Sequence, residues 1–252
     1  MPTKNNHVIA IVNNKGGVGK TISTLKLAFA LRNLGYSVTA GDLDGQCNLT
    51  DTLFPQQRPT PNLGHVLSDG IDINQVHQPV PSKLFYCLPS GGNLDDTNDD
   101  LVLRPLGVMR LKTSLATLRH PSQITLFDCP PNLGALTYSA LIAADYVVVP
   151  TQPAQWSIAG VRRVKEKIDE VQTLLGKAPK LLGSIATLCR ETSEHEQGWV
   201  DLQQADMPAL LGTVPLRGGK GGIDSLDAFY LPIAQRILAE IAATASNTER
   251  TL

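Results

Sequence analysis

Residues 8–21 of the chain read VIAIVNNKGGVGKT, an apolar β-branched run followed by a glycine-rich turn. The run is too short for a buried helix and predicts a strand, and a helical spacing of apolar residues begins after Thr21. The three glycines of the turn let successive backbone N–H groups converge on an anion, and the positive end of the following helix adds to the attraction. The stretch therefore predicts a phosphate-binding loop in which Lys20 reaches the β- and γ-phosphates and the Thr21 hydroxyl ligates Mg²⁺.

This loop departs from the common Gly-x4-Gly-Lys-Thr form. Asn14 stands where that pattern has its first glycine, and a second lysine, Lys15, precedes Gly16. The variant resembles the deviant P-loop of the ParA/MinD-type ATPases, and most closely the short, Soj-like partition ATPases. In that family the extra lysine reaches across a dimer interface to the nucleotide of the partner subunit, so Lys15 and Lys20 are both predicted to be catalytic. The loop residues predicted to bind ATP are Lys15, Gly16, Gly17, Val18, Gly19, Lys20, Thr21 and Ile22.

Composition limits the class of protein. The chain has 252 residues, of which 42% are apolar, and helical and strand patterns alternate along it. This predicts one α/β domain spanning residues 1–252, with a mostly parallel twisted sheet and helices on both faces. The net charge of -1 provides no overall attraction to nucleic acid. Four cysteines without Cys-x-x-Cys spacing, and no apolar run of membrane-spanning length, predict a reduced, cytoplasmic protein.

Two carboxylates follow the second predicted strand, residues 37–41. Asp42 and Asp44 lie beside the P-loop if the strands are parallel, at the position of a γ-phosphate and its water. The stretch resembles the Asp-x-Asp-Pro-Gln switch of the family, which implies that Asp44 orients or activates the attacking water and that Asp42 supports the metal. Either carboxylate could instead simply cap the loop. Gly45 replaces the usual proline and Cys47 stands where glycine is common, so the stiffness of this loop differs from the family pattern.

A third carboxylate ends the apolar strand at residues 124–127. Asp128 has the form of a Walker B aspartate, which holds Mg²⁺ through a water. The sequence Asp-Cys-Pro-Pro at 128–131 resembles the Asp-x-Pro-Pro switch of the family. Cys129 is interpreted as a small core residue.

Two polar segments are predicted to be surface excursions. They are residues 55–79, which contain a short amphipathic piece at 63–67, and residues 90–100, whose aspartates are interpreted as a solvated face. A helix is expected over residues 101–118, interrupted near Pro105.

The second half of the chain contains the candidate base and DNA contacts. Residues 150–160 resemble the family's loop near the dimer face. The ends of the strands at 185–188 and 212–214 flank the adenine in this fold, which makes Thr187, Leu188, Pro215 and Leu216 candidate base contacts. A basic surface on the dimer is predicted to bind DNA backbone phosphates without sequence preference, although its helical part could be an ordinary solvated face. The candidates are Arg162, Arg163, Lys165, Arg190, Arg217 and Lys220.

The resemblance implies an ATP- and Mg²⁺-dependent homodimer that binds nucleoid DNA. A ParB-like or adaptor protein stimulates hydrolysis and releases the DNA, which partitions or positions a plasmid, chromosome or protein cargo. Three alternatives stay open: a metabolic enzyme such as an amide synthetase or a dethiobiotin synthetase-like carboxylase, an iron–sulfur carrier with paired interface cysteines, and a MinD-like membrane cycle. The polar segment 243–252 lacks a basic amphipathic helix, so no membrane contact is expected.

Overall fold

Eight strands form one sheet in the computed structural model, which describes residues 6–82, 84–152, 157–190, 209–216 and 223–249. The strands are β1 (His7–Ile11), β2 (Val38–Asp42), β3 (Gln78–Pro79), β4 (Tyr86–Leu88), β5 (Ile124–Asp128), β6 (Tyr146–Thr151), β7 (Lys180–Cys189) and β8 (Leu210–Pro215). Their order across the sheet is β3-β4-β2-β5-β1-β6-β7-β8. Each neighbouring pair is parallel except β3 with β4.

Helices cover both faces of this sheet. They are α1 (Lys20–Asn33), α2 (Asn48–Leu53), α3 (Leu63–Ser68), α4 (Leu94–Leu103), α5 (Arg110–Leu115), α6 (Ala135–Ala143), α7 (Ser157–Leu175) and α8 (Asp227–Glu249). Short 3-10 turns lie at Ile73–Gln75, Gly107–Met109 and Ile223–Leu226. No helix in the described ranges combines the length and the apolar character needed to cross a bilayer.

The two faces of β1 belong to two hydrophobic clusters, as the alternation of side chains along a strand requires. Val8 and Ala10 pack with residues of α3 to α7, whereas Ile9 and Ile11 pack with residues of α1, α2 and α8. Because β1 is buried on both faces, its sequence is a continuous apolar run and not an alternating one. The predicted α/β fold is confirmed.

The register of the central strands sets where the site forms. β5 lies between β1 and β2, and Asp128 is the lateral partner of both Ile11 and Asp42. The carboxyl ends of β1, β2 and β5 are therefore level. The P-loop, which follows β1, is placed beside the two aspartates.

Two predicted surface excursions are corrected by the structure. Residues 55–79 contain α3 and the turn at Ile73, and their apolar side chains lie in the core. Residues 90–100 contain the start of α4, where Leu94, Thr97 and Leu101 form a buried stripe. Sequence reasoning missed this helix because its helical spacing is interspersed with aspartates. The break near Pro105 is confirmed, since α4 ends at Leu103 and a 3-10 turn starts at Gly107.

Several element boundaries also differ from the sequence expectation. β7 has ten residues and begins at Lys180, not at Ile185. The last helix begins at Asp227 and contains Pro232, which was expected to start it. Pro232 is the sixth residue of this helix, so the N–H group that would bond to the carbonyl four residues earlier is missing there.

The packing of α1 against α8 includes a buried polar pair and predicts one stability change. The Ser23 and Tyr230 hydroxyls are 2.8 Å apart, and burial raises the pKa of Tyr230 to about 12. Tyr230→Phe leaves the Ser23 hydroxyl without this partner, so we expect the free energy of unfolding to fall by about 1–2 kcal/mol. Urea unfolding measures this change. The exposed Tyr86 provides the control, Tyr86→Phe, and equal stability of the two variants would contradict the prediction.

Candidate functional site

The loop between β1 and α1 has the backbone conformation of an anion cradle. Gly17 and Gly19 have φ values of 73° and 80°, a left-handed region that disfavours other residues. Gly19 caps α1 without a side-chain hydrogen bond, and the first turn of the helix contains no acidic residue. The N-terminal N–H groups of α1 are thus left for an external anion.

The cradle is held by one side chain on β7 and by two that follow the ends of β1 and β6. The Asn13 amide donates to the Pro150 carbonyl at 2.8 Å, and its Oδ1 accepts from the Lys15 N–H at 3.0 Å. The Thr187 hydroxyl lies 2.7 Å from the Val18 carbonyl. Gln152 donates to the Gly17 carbonyl at 3.2 Å. These contacts fix the loop in its curled form.

Thr187 was a candidate base contact, but it is 2% exposed and its hydroxyl faces the P-loop. This geometry gives it a structural role in place of the predicted one. The holding roles of Asn13, Gln152 and Thr187 were missed because each depends on a contact between distant strands. The only sequence signal was the position of Thr187 and Gln152 near strand ends.

Lys20 is buried beneath the loop, and Lys15 is exposed above it. The Lys20 Nζ donates to the Lys15 carbonyl at 3.1 Å. Burial lowers the pKa of Lys20, while the charges of Asp128 and Asp44 act in the opposite direction. The Lys20 ammonium is the positive group that a phosphate bound in the loop would contact, and a cation held by the carboxylates would offset their repulsion of the phosphate.

Asp128 is a buried carboxyl group whose oxygens accept no hydrogen bond among the described residues, although the Thr21 hydroxyl and the Lys20 ammonium lie nearby. The residue is 1% exposed. Burial raises the pKa of Asp128 well above its usual range, and the charge of Asp42 adds to this. The nearby Thr21 hydroxyl and the Lys20 ammonium lower it. An unpaired buried carboxylate beside a hydroxyl is the hard oxygen donor set that Mg²⁺ prefers, so these residues fit the predicted metal.

Asp42 is also buried, but both of its oxygens are occupied. Oδ1 accepts from the Asp44 N–H at 3.1 Å, and Oδ2 accepts from the N–H and hydroxyl of Thr50 at 2.9 and 2.7 Å. Burial raises the pKa of Asp42 to about 6, against the lowering effect of these hydrogen bonds. The contacts support the capping role considered for Asp42, and its support of a metal stays a prediction.

Asp44 lies at the turn that follows β2. Its Oδ1 accepts from the Gln46 N–H at 3.0 Å, and the side chain is half-buried. Cys47, which closes the turn, has a φ of 57°, and this explains why glycine is common there.

Cys129 is fully buried and burial raises the pKa of its thiol, which supports its interpretation as a core residue.

The predicted DNA contacts divide into separate places. Arg162, Arg163 and Lys165 are exposed on α7, and Arg190 is exposed after β7. Arg163 lines a cavity of about 310 Å³ together with Asn13, Asn14 and Lys15, so it faces the P-loop. Arg217 and Lys220 lie outside the described residues.

The candidate base contacts at the end of β8 are in different environments. Pro215 is the last residue of the strand, and Leu216 is 40% exposed beyond it. The Leu216 N–H donates to the Cys189 carbonyl at 2.8 Å, which ties the ends of β7 and β8 together.

Ile22, in the first turn of α1, is half-buried and packs on the core.

Comparisons with known proteins show the family and the fold to which the chain is similar. The model of the AAA domain family matches residues 6–181. The chromosome-partitioning ATPase Soj of Thermus thermophilus is 34% identical over 180 residues, covering 71% of this chain and 68% of that protein. The chromosome partitioning protein ParA of Caulobacter vibrioides is 32% identical over 198 residues, covering 75% and 73%.

A solved structure is similar over nearly the whole chain. It is the cobyrinic acid a,c-diamide synthase from Mycobacterium smegmatis with bound ATP analog and magnesium. The two chains are 29% identical with a TM-score of 0.84, and the match covers 95% of this chain and 97% of that one.

The orphaned carboxylate of Asp128 predicts a stability change in the ligand-free protein. The pKa of Asp128 is higher in the folded than in the unfolded chain. The free energy of unfolding therefore falls as the pH rises from the unfolded-state pKa toward the folded-state pKa. Asp128→Asn removes the ionisable group and with it the cost of its raised pKa, so it should raise the free energy of unfolding by about 1–3 kcal/mol at pH 7.5, and by less at pH 5.

Urea unfolding at the two pH values measures this difference. Asp96→Asn, at an exposed position of α4, is the matched control and should change little. An Asp128→Asn variant less stable than the wild type at pH 7.5 would show that the carboxylate is compensated in the free protein.

Proposed function

The chain belongs to the ParA/Soj family of P-loop ATPases, and on that basis we propose that it partitions or positions a cargo through an ATP-dependent cycle of dimerisation and DNA binding. ATP and Mg²⁺ bind at the P-loop, and two copies enclose the nucleotides. The dimer binds DNA without sequence preference in the nucleoid. Hydrolysis, stimulated by a ParB-like or adaptor partner, separates the dimer and releases the DNA.

The nucleotide site has the groups that ATP hydrolysis requires. The N–H groups of the loop and the buried Lys20 would hold the phosphates. Thr21 and Asp128 would hold Mg²⁺, which neutralises charge on the phosphates when bound. The buried Asp128 carboxyl, whose oxygens accept no hydrogen bond among the described residues, is the observation that carries this part of the proposal, since burying such a group without hydrogen bonds is costly.

Asp44 is the group proposed to act on the attacking water. The charge of Asp44 acts on Lys20 and Asp128, so its carboxylate lies near the phosphate site. One of its oxygens is held by the Gln46 N–H, and its half-buried position leaves the carboxylate accessible to a water. Asp44 would accept the water's hydrogen and orient it toward the γ-phosphate.

Lys15 is proposed to act across the dimer interface. Its N–H is fixed by Asn13, while the residue is exposed on the loop. An exposed ammonium on a fixed backbone can reach a phosphate of the second copy. Loss of the γ-phosphate would then weaken the interface, which couples dimer stability to hydrolysis.

This dimer cycle predicts opposite behaviour for two variants. With ATP and Mg²⁺, Asp44→Ala should bind nucleotide and persist as a dimer, because hydrolysis is lost. Lys15→Ala should bind ATP with near wild-type affinity but stay monomeric, because the bridging charge is absent. Light scattering with ATP and with ADP measures mass, and a fluorescent ATP analogue measures binding. A dimeric Lys15→Ala protein, or full turnover by Asp44→Ala, would contradict the assigned roles.

DNA binding is proposed for the exposed cations of α7 and the end of β7. Arg162, Lys165 and Arg190 lie on the surface at these two places. Backbone phosphate contacts need charge and not base-reading geometry. Arg163 is proposed to belong to the nucleotide side instead, because it lines the cavity beside Lys15.

Charge reversal tests the DNA surface. With ATP present, the double variant Arg162→Glu/Arg190→Glu should bind DNA about 10-fold or more weakly, and the slope of affinity against salt should decrease. Fluorescence anisotropy at several salt concentrations measures both quantities. Lys112→Glu/Lys177→Glu, which reverses the same number of charges at two other exposed positions, is the matched control. Equal loss in the control would mean that net charge, and not this surface, sets the affinity.

One observation favours a second function, that of an amide synthetase. The similar structure from Mycobacterium smegmatis is that of a diamide synthase, and it matches 95% of this chain. A synthetase would turn over ATP only with a carboxylic acid and an ammonia source. ATP turnover that requires such substrates and ignores DNA and partner would favour it.

A further inference from the structure

A buried serine outside the sequence motifs contacts the loop that carries Asp44. Ser90 follows β4 and is fully buried. Its hydroxyl donates to the Asp44 carbonyl at 2.7 Å, and its N–H donates to the Thr50 hydroxyl at 2.8 Å. Ser90 therefore holds the loop at Asp44 and again at the start of α2.

The loop from Asp42 to Thr50 is closed internally by Asp42. This carboxylate accepts from the Asp44 N–H at one end of the loop and from Thr50 at the other. These bonds set the width of the loop. The hydrogen bonds of Ser90 fix the position of this loop relative to β4, and β4 is hydrogen-bonded to β2 in the sheet.

The residue after Asp44 explains why the carbonyl needs to be held. Gly45 stands where the resembling motif has proline, so the backbone after Asp44 lacks the restriction that a proline ring imposes. A hydrogen bond to the Asp44 carbonyl restrains the plane of the peptide between Asp44 and Gly45. Where a proline would restrain the backbone covalently, a hydrogen bond from Ser90, two residues after β4, restrains it here.

We propose that Ser90 is a positioning residue for ATP hydrolysis, which holds the peptide after Asp44 so that the Asp44 carboxylate stays aimed at the attacking water. This proposal rests on the proposed function of Asp44. Small displacements of a positioned group are expensive in rate because the reactive geometry is narrow. The effect should appear in kcat, because the P-loop, which binds the nucleotide, does not depend on Ser90.

Ser90→Ala tests the proposal because it removes the hydroxyl and keeps the N–H bond to Thr50. We expect kcat for ATP to fall about 10-fold or more, with KM for ATP changed less than about 2-fold. Ser90→Thr retains the hydroxyl and should recover most of kcat. Ser139→Ala is the matched control, because Ser139 is equally buried and its hydroxyl has no hydrogen-bond partner among the described residues.

Hydrogen–deuterium exchange of residues 43–50 gives a readout that does not need turnover. Exchange in this loop should be faster in Ser90→Ala than in the wild type or Ser139→Ala. If the wild type hydrolyses no ATP, the proposed function fails, while exchange still decides whether Ser90 holds the loop. Exchange and kcat equal to those of Ser139→Ala would overturn the proposal, as would a folded Ser90→Thr variant as slow as Ser90→Ala.

Discussion

The level carboxyl ends of β1, β2 and β5 place two buried carboxylates and a buried ammonium beside one glycine-rich loop. The lateral pairing of Asp42 with Asp128 follows directly from the parallel register. Charges in a poorly solvated position must be compensated by a partner, a hydrogen bond or a ligand. Most of the local structure around the site can be understood as the response to this constraint.

The two neighbouring aspartates meet the constraint in different ways. Asp42 accepts three hydrogen bonds from its own loop, and its pKa is raised only to about 6. Asp128 accepts none within the described residues, and burial raises its pKa well above its usual range. Asp42 therefore closes its own loop, while the Asp128 oxygens remain without a hydrogen bond from the described residues.

The motifs could be located from the sequence because each depends on local chemistry. The glycines of the P-loop, the apolar strands with a terminal aspartate and the alternation of helix and strand all appear as short patterns. The α/β fold and the identity of Lys20, Thr21 and Asp128 as site candidates follow from them. Helix α4 was missed because its buried stripe of Leu94, Thr97 and Leu101 is interspersed with aspartates. Packing against the neighbouring elements, and not local composition, makes this segment helical.

The amino-acid order by itself determined the phosphate loop, the strand-end carboxylates and the layered fold, because periodicity and backbone freedom are properties of adjacent residues. Tertiary structure alone decided which carboxylate is satisfied, that Thr187 supports the loop and that Ser90 holds Asp44. Those outcomes depend on hydrogen bonds between residues far apart in the chain, such as the 46 positions between Ser90 and Asp44. Only the packing of strands into one sheet brings such residues within 3 Å of each other.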